Sequence, residues 1–328
     1  MRRRFLQGAA GFAAAALAFP LARAQTTKRV PRVGYVWIFD SGPSRPFVVA
    51  FRRRMAELGW IDGNTVAIET HNAGGDPQKL GAIMKELVDT RADVILASCT
   101  PEAKAAMRYT TTIPIVVAAM GDPLAAGIAK SYARPGGNVT GVSGMLLEQS
   151  AKRLALLKEA APWVSRATVI WNPERPDNKV EVDAMVAGAK ALGVVLESQQ
   201  VRTPAELSDV LDLLPSTGTQ ALLNAGDNML GSLYVPIVDF TRRRRLPSMF
   251  EDRFFVQNGG LMSYGPNFEQ MHAMAAEYVD KVLRGANPGE LPIVQPRKFE
   301  LVIIRTAAKQ IGVSIPATLL VQADEVIG

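Results

Sequence analysis

Six short segments of this sequence place small polar side chains directly after apolar runs, where strands are expected to end. The candidate ligand-binding side chains in these segments are Asp40, Ser41, Ser98, Thr100, Asp122, Asn172, Asp227 and Glu251. Hydroxyl and backbone N–H groups can bind an anionic end of a ligand, whereas carboxylates can bind a cationic group. The alternative is that these side chains only cap the helices that follow them. Their types predict reversible binding of a small polar molecule.

Two of the segments allow a more specific prediction. Ser98 and Thr100 precede Pro101, which is suited to the first turn of a helix, so we expect them to bind an anionic or strongly polar end of the ligand. Asp227 is expected to face the same ligand from the other side and to pair with a cationic group, such as the ammonium of an amino acid. Capping of the next helix is the competing role for Asp227.

The sequence lacks the residue sets that catalysis by a nucleophile or a metal requires. Cys99 is the single cysteine, and the two histidines, His71 and His272, lie in no recognisable motif. Zinc-ligand spacing, a phosphate-binding glycine loop and a G-x-S-x-G sequence are all absent. We therefore expect a binding protein without enzymatic activity, cofactor or metal.

The apolar runs alternate with segments of helical periodicity, and this alternation occurs twice. Leu58-Gly59, at the end of a predicted helix, is matched 134 positions later by Leu192-Gly193. Ile113-Pro114, at the start of a predicted strand, is matched 133 positions later by Leu246-Pro247. Continuous apolar strands separated by helices are typical of parallel sheets covered on both faces. The fold class is therefore predicted as α/β, with two doubly wound parallel-sheet lobes.

A mature chain of about 300 residues exceeds one ordinary core and suits two domains. Residues 30–144 are predicted to form lobe 1, to which part of 252–294 returns. Residues 145–250 are predicted to form lobe 2. Residues 295–328 are predicted to hold a hinge crossing and a C-terminal segment.

Residues 1–24 have the features of an export signal. Arg2-Arg3-Arg4-Phe5-Leu6 fits the R-R-x-F-L pattern of twin-arginine signals, a short Ala- and Gly-rich apolar run follows, and Ala22-Arg23-Ala24 suits cleavage before Gln25. The run is too short to be a stable membrane span, although an uncut N-terminal anchor is the alternative. The predicted location is the bacterial periplasm, and the mature protein is predicted not to span the membrane.

The export signal also accounts for most of the basic character of the chain. Of the net charge of +6, four charges are carried by Arg2, Arg3, Arg4 and Arg23. The mature chain is then close to neutral, so a nucleic-acid partner is not expected. The basic run Arg242–Arg245 is interpreted as the solvated end of a helix.

Several stretches resemble a known family. The stretches that carry the resemblance include Glu57-Leu58-Gly59-Trp60, Gly121-Asp122-Pro123, Arg134-Pro135-Gly136-Gly137-Asn138-Val139-Thr140-Gly141, Trp171-Asn172-Pro173 and Gly259-Gly260-Leu261-Met262-Ser263-Tyr264-Gly265. They are similar to ABC-transporter substrate-binding proteins of the tryptophan/tyrosine-binding type, which have a type I periplasmic binding fold. The resemblance covers nearly all of the mature chain.

The resemblance implies a receptor that closes two lobes over a small polar or aromatic molecule and presents it to an inner-membrane ABC permease. Hinges are then expected near Gly144-Met145 and Phe250-Glu251, with a third crossing near Gln295 to Phe299. Two other functions remain open from the sequence. One is a periplasmic sensor that feeds a signalling partner, and the other is a secreted α/β enzyme with Asp side chains as acid and base.

Overall fold

The structure is a computed structural model, and it describes residues 29–38 and 46–328. The predicted export signal and the candidate residues Asp40 and Ser41 lie outside these ranges. Up to Ser143 the elements are β1 (Arg32–Trp37), α1 (Pro46–Glu57), β2 (Ala67–Asn72), α2 (Pro77–Asp89), β3 (Val94–Cys99), α3 (Thr100–Met107), β4 (Ile115–Met120) and β5 (Val139–Ser143).

The second half of the chain contains more elements, several of them short. They are α4 (Leu146–Ala160), β6 (Arg166–Trp171), α5 (Pro176–Ala189), β7 (Val195–Gln200), α6 (Pro204–Leu213), β8 (Leu222–Asn224), α7 (Asn228–Ser232), α8 (Tyr234–Arg244), β9 (Ser248–Phe250), α9 (Arg253–Gln257), β10 (Met262–Pro266), α10 (Phe268–Leu283), β11 (Phe299–Ile304), α11 (Arg305–Ile311), α12 (Ala317–Gln322) and β12 (Glu325–Ile327). Short 3₁₀ turns occupy Lys190–Leu192, Leu214–Thr217 and Pro288–Glu290.

The strands form two sheets with a shared topology. The first sheet has the order β2-β1-β3-β4-β5, and the second has the order β12-β11-β10-β9-β8-β6-β7. The run β7-β6-β8-β9-β10 repeats the order of the first sheet, which confirms the predicted repetition of whole elements. The pairings are parallel except for β10 with β11, which is antiparallel. The α/β fold class is confirmed.

We call the five-stranded sheet with its helices the first lobe, and the seven-stranded sheet with its helices the second lobe. Every residue of β3 and β4 is buried, because helices cover both faces of the first sheet. One of those helices is α10, which returns from the second lobe and packs on α1 and β4. Its Met271 and Val279 share a core with Val33 and Tyr35 of β1.

The chain passes between the lobes at three places. β5 ends at Ser143 and α4 begins at Leu146, so the first crossing lies where the sequence predicted it, at Gly144-Met145. The predicted hinge at Phe250-Glu251 is wrong, because β9, α9 and β10 stay in the second lobe and the crossing follows Pro266. Val294 forms a parallel bridge with Val142 of β5, so it still belongs to the first lobe. The third crossing lies between Val294 and the start of β11 at Phe299.

The predicted limits of the second lobe also need correction. β10, β11 and β12 all belong to the seven-stranded sheet, so most of residues 295–328 are part of that lobe rather than a separate crossing segment. The antiparallel pairing of Tyr264 with Leu301 and the parallel pairing of Ile303 with Val326 attach these strands. Pairing of this kind depends on contacts between distant residues, which local sequence patterns do not encode.

Candidate functional site

A cavity lies between the lobes, at the carboxyl ends of both sets of parallel strands. Its empty volume, counted up to its open mouth, is about 790 Å³. Its lining comprises Trp37, Phe47, Ser98, Cys99, Ala119, Phe268 and His272 from the first lobe, and Arg175, Gly226, Asp227, Asn228, Gly231, Ser232, Glu251, Asp252 and Phe254 from the second. In open α/β sheets, ligands bind at this edge, where the strand order reverses. Trp37 and Ser98 lie at that reversal in the first sheet, between β1 and β3.

A buried carboxylate holds the first wall of the cavity in place. Glu102 is fully buried, and it accepts hydrogen bonds from the backbone N–H of Ile38 at 2.8 Å and of Cys99 at 3.1 Å. These two residues follow β1 and end β3, so Glu102 ties together the two strand ends that flank the cavity. Burial raises the pKa of Glu102, while the two backbone hydrogen bonds oppose that rise.

The protonation state of His272 determines what Ser98 can offer to a ligand. Burial lowers the pKa of His272 to about 4, so the ring is neutral near pH 7. Its Nδ1 lies 2.8 Å from the carbonyl of Phe268, which can only accept, so Nδ1 carries the proton. Nε2 is then an acceptor, and the Ser98 hydroxyl donates to it at 3.4 Å. The oxygen of Ser98 is left to accept from a ligand donor, and its predicted contact with an anionic or strongly polar end of the ligand stays a prediction.

Arg175 organises the wall contributed by the second lobe. Its guanidinium donates to the carbonyl of Gly226 at 2.9 Å, forms an ion pair with Asp177, and lies 3.9 Å from the carboxylate of Asp227. Burial lowers the pKa of this guanidinium, but the charges of Asp177 and Asp227 raise it by more. The net shift is upward, so Arg175 stays protonated. The Gly226 carbonyl also accepts from Asn178 at 2.9 Å. The loop after β8 is therefore held rigidly against α5.

Two contacts join the walls across the cavity. The thiol of Cys99 in the first lobe donates to Asn228 Oδ1 in the second, at 3.4 Å. Burial raises the pKa of Cys99 to about 12, so the sulfur remains a thiol and not a nucleophilic thiolate. Gly121, after β4, lies so close to the second lobe that a Cβ there would be 2.1 Å from Asp177 Oδ2.

The structure brings together some of the predicted site residues and not others. Ser98, Asp227 and Glu251 line the cavity. Asn172 lies behind that wall and donates to Asp227 at 3.3 Å. Thr100 accepts from the Gly121 N–H at 3.1 Å and lines a separate cavity beside α2 and α3.

Asp122 also stays outside the cavity lining. Its Oδ1 accepts hydrogen bonds from the N–H groups of Leu124 and Ala125, at 2.8 and 3.1 Å, as in a capped turn. Asp227 has a capping role as well, since its Oδ1 accepts from Leu230 N–H at 3.0 Å. Cap and ligand-binding roles therefore coexist on one carboxylate, and ligand contact by Asp227 stays a prediction.

The aromatic part of the lining and Arg175 were not among the residues predicted from the sequence. Phe268 and His272 come from α10, whose position depends on a long-range return of the chain that no local pattern encodes. Trp37 and Phe47 lie close in sequence to the candidate Asp40, one before it and one after it. This proximity could have identified them as lining residues. Arg175 comes three residues after Asn172, immediately before the proline that opens α5, and the turn directs it inward.

Comparison with known proteins identifies the family. Residues 36–327 match the family model described as ABC transporter substrate binding protein. The chain belongs to this family. It is a substrate-binding protein of an ABC transporter, and the family resemblance found in the sequence is thereby confirmed. The family is one of binding proteins rather than enzymes, and its members are in general exported from the cytoplasm.

Individual relatives of this substrate-binding protein are moderately similar to it. A tyrosine-binding protein of Clostridioides difficile is 28% identical over 253 residues, which is 77% of this chain and 72% of the relative. A solved ABC domain from Streptococcus pneumonia in complex with L-Trp has a TM-score of 0.84 and 26% identity, and covers 90% of this chain and 99% of its own.

A third relative of this substrate-binding protein is known in a ligand-free, open form. The ligand-free, open structure of a substrate-binding protein with adhesive properties from Clostridium difficile is 25% identical, and covers 91% of this chain and 99% of its own. Its TM-score is only 0.66, against 0.84 for the L-Trp complex at nearly the same identity. The structure as a whole is therefore more similar to that of the ligand complex than to the open form.

In the described part of this substrate-binding protein, the helices fall short of a bilayer-spanning helix in length or in apolar character.

Proposed function

We propose that this protein is a periplasmic receptor that captures an aromatic amino acid and delivers it to an inner-membrane ABC permease. The observation that carries the proposal is the lining of the cavity between the lobes, where Trp37, Phe47, Phe254 and Phe268 surround a few buried polar groups. An apolar and aromatic lining with few polar groups is typical of small-molecule sites. The ligands of the two relatives, tyrosine and L-Trp, agree with this chemistry.

The two ends of an amino acid suit a cleft of this kind. The aromatic side chain would bury its rings against the aromatic lining, and offset or edge-to-face ring contacts add about 0.5–1.5 kcal/mol each. The polar end would meet the acceptor oxygen of Ser98 from the first lobe and carboxylates from the second. A ligand that contacts both walls stabilises the closed arrangement, because only that arrangement satisfies both of its ends.

Thermal unfolding with added ligands tests this function. The mature protein is expected to gain stability with tryptophan or tyrosine, and a ligand at a hundred times its dissociation constant should add about 2.7 kcal/mol. Alanine and leucine serve as controls that carry the same polar end without an aromatic ring. Stabilisation by a sugar or a purine, with none by any aromatic amino acid, would refute the proposed ligand class.

Export by the twin-arginine route is the second part of the proposal, and it rests on the sequence of residues 1–24. Changing Arg2, Arg3 and Arg4 together to lysine is expected to leave the uncut precursor in the cytoplasm, because the paired arginines are the feature of the signal that this route requires. Cell fractionation with detection of precursor and mature chain measures the effect. Arg23→Lys is the control, since it makes the same change outside the motif. Normal export of the triple variant would mean that another route is used.

A further inference from the structure

Glu251 presents an unsatisfied carboxylate oxygen to the cavity between the lobes. The residue directly follows β9, lines the cavity and is only 4% exposed. Within the described part of the chain, its Oε2 has no hydrogen-bond partner. A buried polar atom without a partner is costly in free energy, so such atoms in a binding cleft point to a missing polar group.

The neighbouring strands carry similar atoms. Both side-chain atoms of Asn224, at the end of β8, and the hydroxyl of Ser263, in β10, are buried and also lack partners among the described residues. Because β8, β9 and β10 are adjacent in the sheet, these groups lie on three neighbouring strands. Of these groups, the Glu251 carboxylate is the one that lines the cavity. An ammonium group carries three N–H donors and no acceptor, so it suits a carboxylate acceptor.

The two cations near Glu251 already have carboxylate partners, although Nε and Nη1 of Arg153 lack a hydrogen-bond partner among the described residues. Arg153 of α4 forms a buried ion pair with Glu181 of α5, and Arg175 is paired with Asp177.

The remaining ionisable groups around the cavity supply no cation to Glu251. Asp252 is the adjacent residue and Asp227 follows β8, so both would repel a charge on Glu251, while His272 of α10 is neutral. Burial and the charge of Asp252 raise the pKa of Glu251, the charge of Arg153 opposes the rise, and the resulting pKa is about 8.

We propose that Glu251, rather than Asp227, recognises the ammonium group of the ligand, and that it releases its proton as the ligand enters. The inference rests on the proposed function, since it assigns one end of an amino-acid ligand to one side chain. In the empty cleft the carboxylic acid keeps its O–H bond. When the ammonium binds, that bond breaks, the proton leaves to solvent, and the carboxylate accepts hydrogen bonds from the ammonium.

Asp227 is less suited to this role because its oxygens are already occupied. Oδ1 accepts from the Leu230 N–H, and Oδ2 accepts from Asn172 and lies 3.9 Å from Arg175. A second cation at Asp227 would compete with Arg175. At Glu251 the ammonium would meet an acceptor that no other described group uses.

The test compares ligands with and without the ammonium on wild type and two variants. Isothermal titration calorimetry measures the affinity of tryptophan and tyrosine, and of their matched acids lacking the amino group, 3-indolepropionate and 3-(4-hydroxyphenyl)propionate. Glu251→Gln removes the charge and keeps the shape. Asp227→Asn makes the same charge change at the competing carboxylate and keeps the capping oxygen.

Wild type is expected to prefer the amino acid over its matched acid by at least tenfold, and Glu251→Gln is expected to lose most of that preference. Asp227→Asn should keep it, even if its affinities change overall. Wild-type affinity for the amino acid should rise about tenfold from pH 6 to pH 7. Below its pKa, Glu251 is protonated in the empty cleft, and this proton must be released for the ammonium to bind. Titrations in two buffers of different ionisation enthalpy should show release of about one proton at pH 6.5, and none with Glu251→Gln.

The outcomes separate the inference from the function beneath it. If the amino acids bind but Glu251→Gln keeps the preference and the proton release, the function stands and the inference is overturned. If Asp227→Asn alone loses the preference, the ammonium belongs to Asp227. If neither amino acid binds to wild type, the proposed function fails and the inference fails with it.

Discussion

Replacing Gly121 with alanine is expected to destabilise the closed arrangement of the lobes around a ligand while leaving each lobe folded. The added Cβ would lie 2.1 Å from Asp177 Oδ2 and 3.3 Å from Arg175 Nη2, both across the cleft. The Arg175–Asp177 pair cannot easily retreat, since it is buried and anchored to the Gly226 carbonyl. Gly121 is not among the residues with positive φ, so alanine adds no backbone strain there.

The expected magnitude follows from overpacking, which costs about 1–3 kcal/mol. This cost falls on the closed state alone, so the affinity for tryptophan should drop about five- to a hundred-and-fiftyfold, while the melting temperature without ligand stays near wild type. Calorimetry gives the affinity, and small-angle scattering reports ligand-dependent compaction. Gly188→Ala is the matched control, since its Cβ would meet only Ala151 Cβ at an ordinary 3.8 Å. Unchanged affinity and compaction in Gly121→Ala would show that this contact does not limit closure.

Replacing Arg153 with methionine is expected to destabilise the second lobe severely. Arg153 and Glu181 form an ion pair with side chains 0% and 3% exposed, between α4 and α5. Methionine fills similar space but leaves the Glu181 carboxylate buried without its counter-ion, and breaking such a pair costs about 3–5 kcal/mol. Urea unfolding at pH 7.5 measures the loss. At pH 5 the loss should be smaller, because Glu181 can then be protonated and carries no charge.

The double variant Arg153→Met with Glu181→Gln separates the charge from the packing. Glutamine carries no charge, and its oxygen can still accept from the Gly226 N–H, which lies 3.3 Å from Glu181 Oε2. Most of the lost stability should therefore return in the double variant. If the double variant is as unstable as the single one, packing of the arginine stem rather than charge pairing stabilises this helix pair.

The sequence predicted the parts of the fold that depend on local patterns. Leu58-Gly59 and Leu192-Gly193 occupy equivalent positions in the two lobes, as predicted. Each glycine follows the end of a helical segment and has a positive φ, 91° for Gly59 and 65° for Gly193. The attachment of β11 and β12 to the second sheet was missed, since the pairing of Tyr264 with Leu301 joins distant residues. A single local pattern cannot distinguish a crossing segment from a strand that is added late to a sheet.

The candidate site was predictable to the level of loops but not of side-chain roles. Strand ends identified Ser98, Asp227 and Glu251 as residues near the cavity. The direction of the Ser98 hydrogen bond depends on His272, which arrives from α10. The difference between Asp227 and Glu251 depends on which carboxylate already has partners, and those partners come from several elements.

The order in which the two sheets are completed sets when this protein can finish folding. The core of the first lobe includes Met271 and Val279 from α10, and the core of the second includes Val302, Ile303 and Leu319. The residues that complete the core of each lobe are thus synthesised long after the first strands of that lobe. Neither lobe can be complete while most of the chain is still being made, so folding must finish after synthesis rather than lobe by lobe during it. A transport route that accepts only folded cargo would have to wait for the last strands, and that delay is built into the path of the chain.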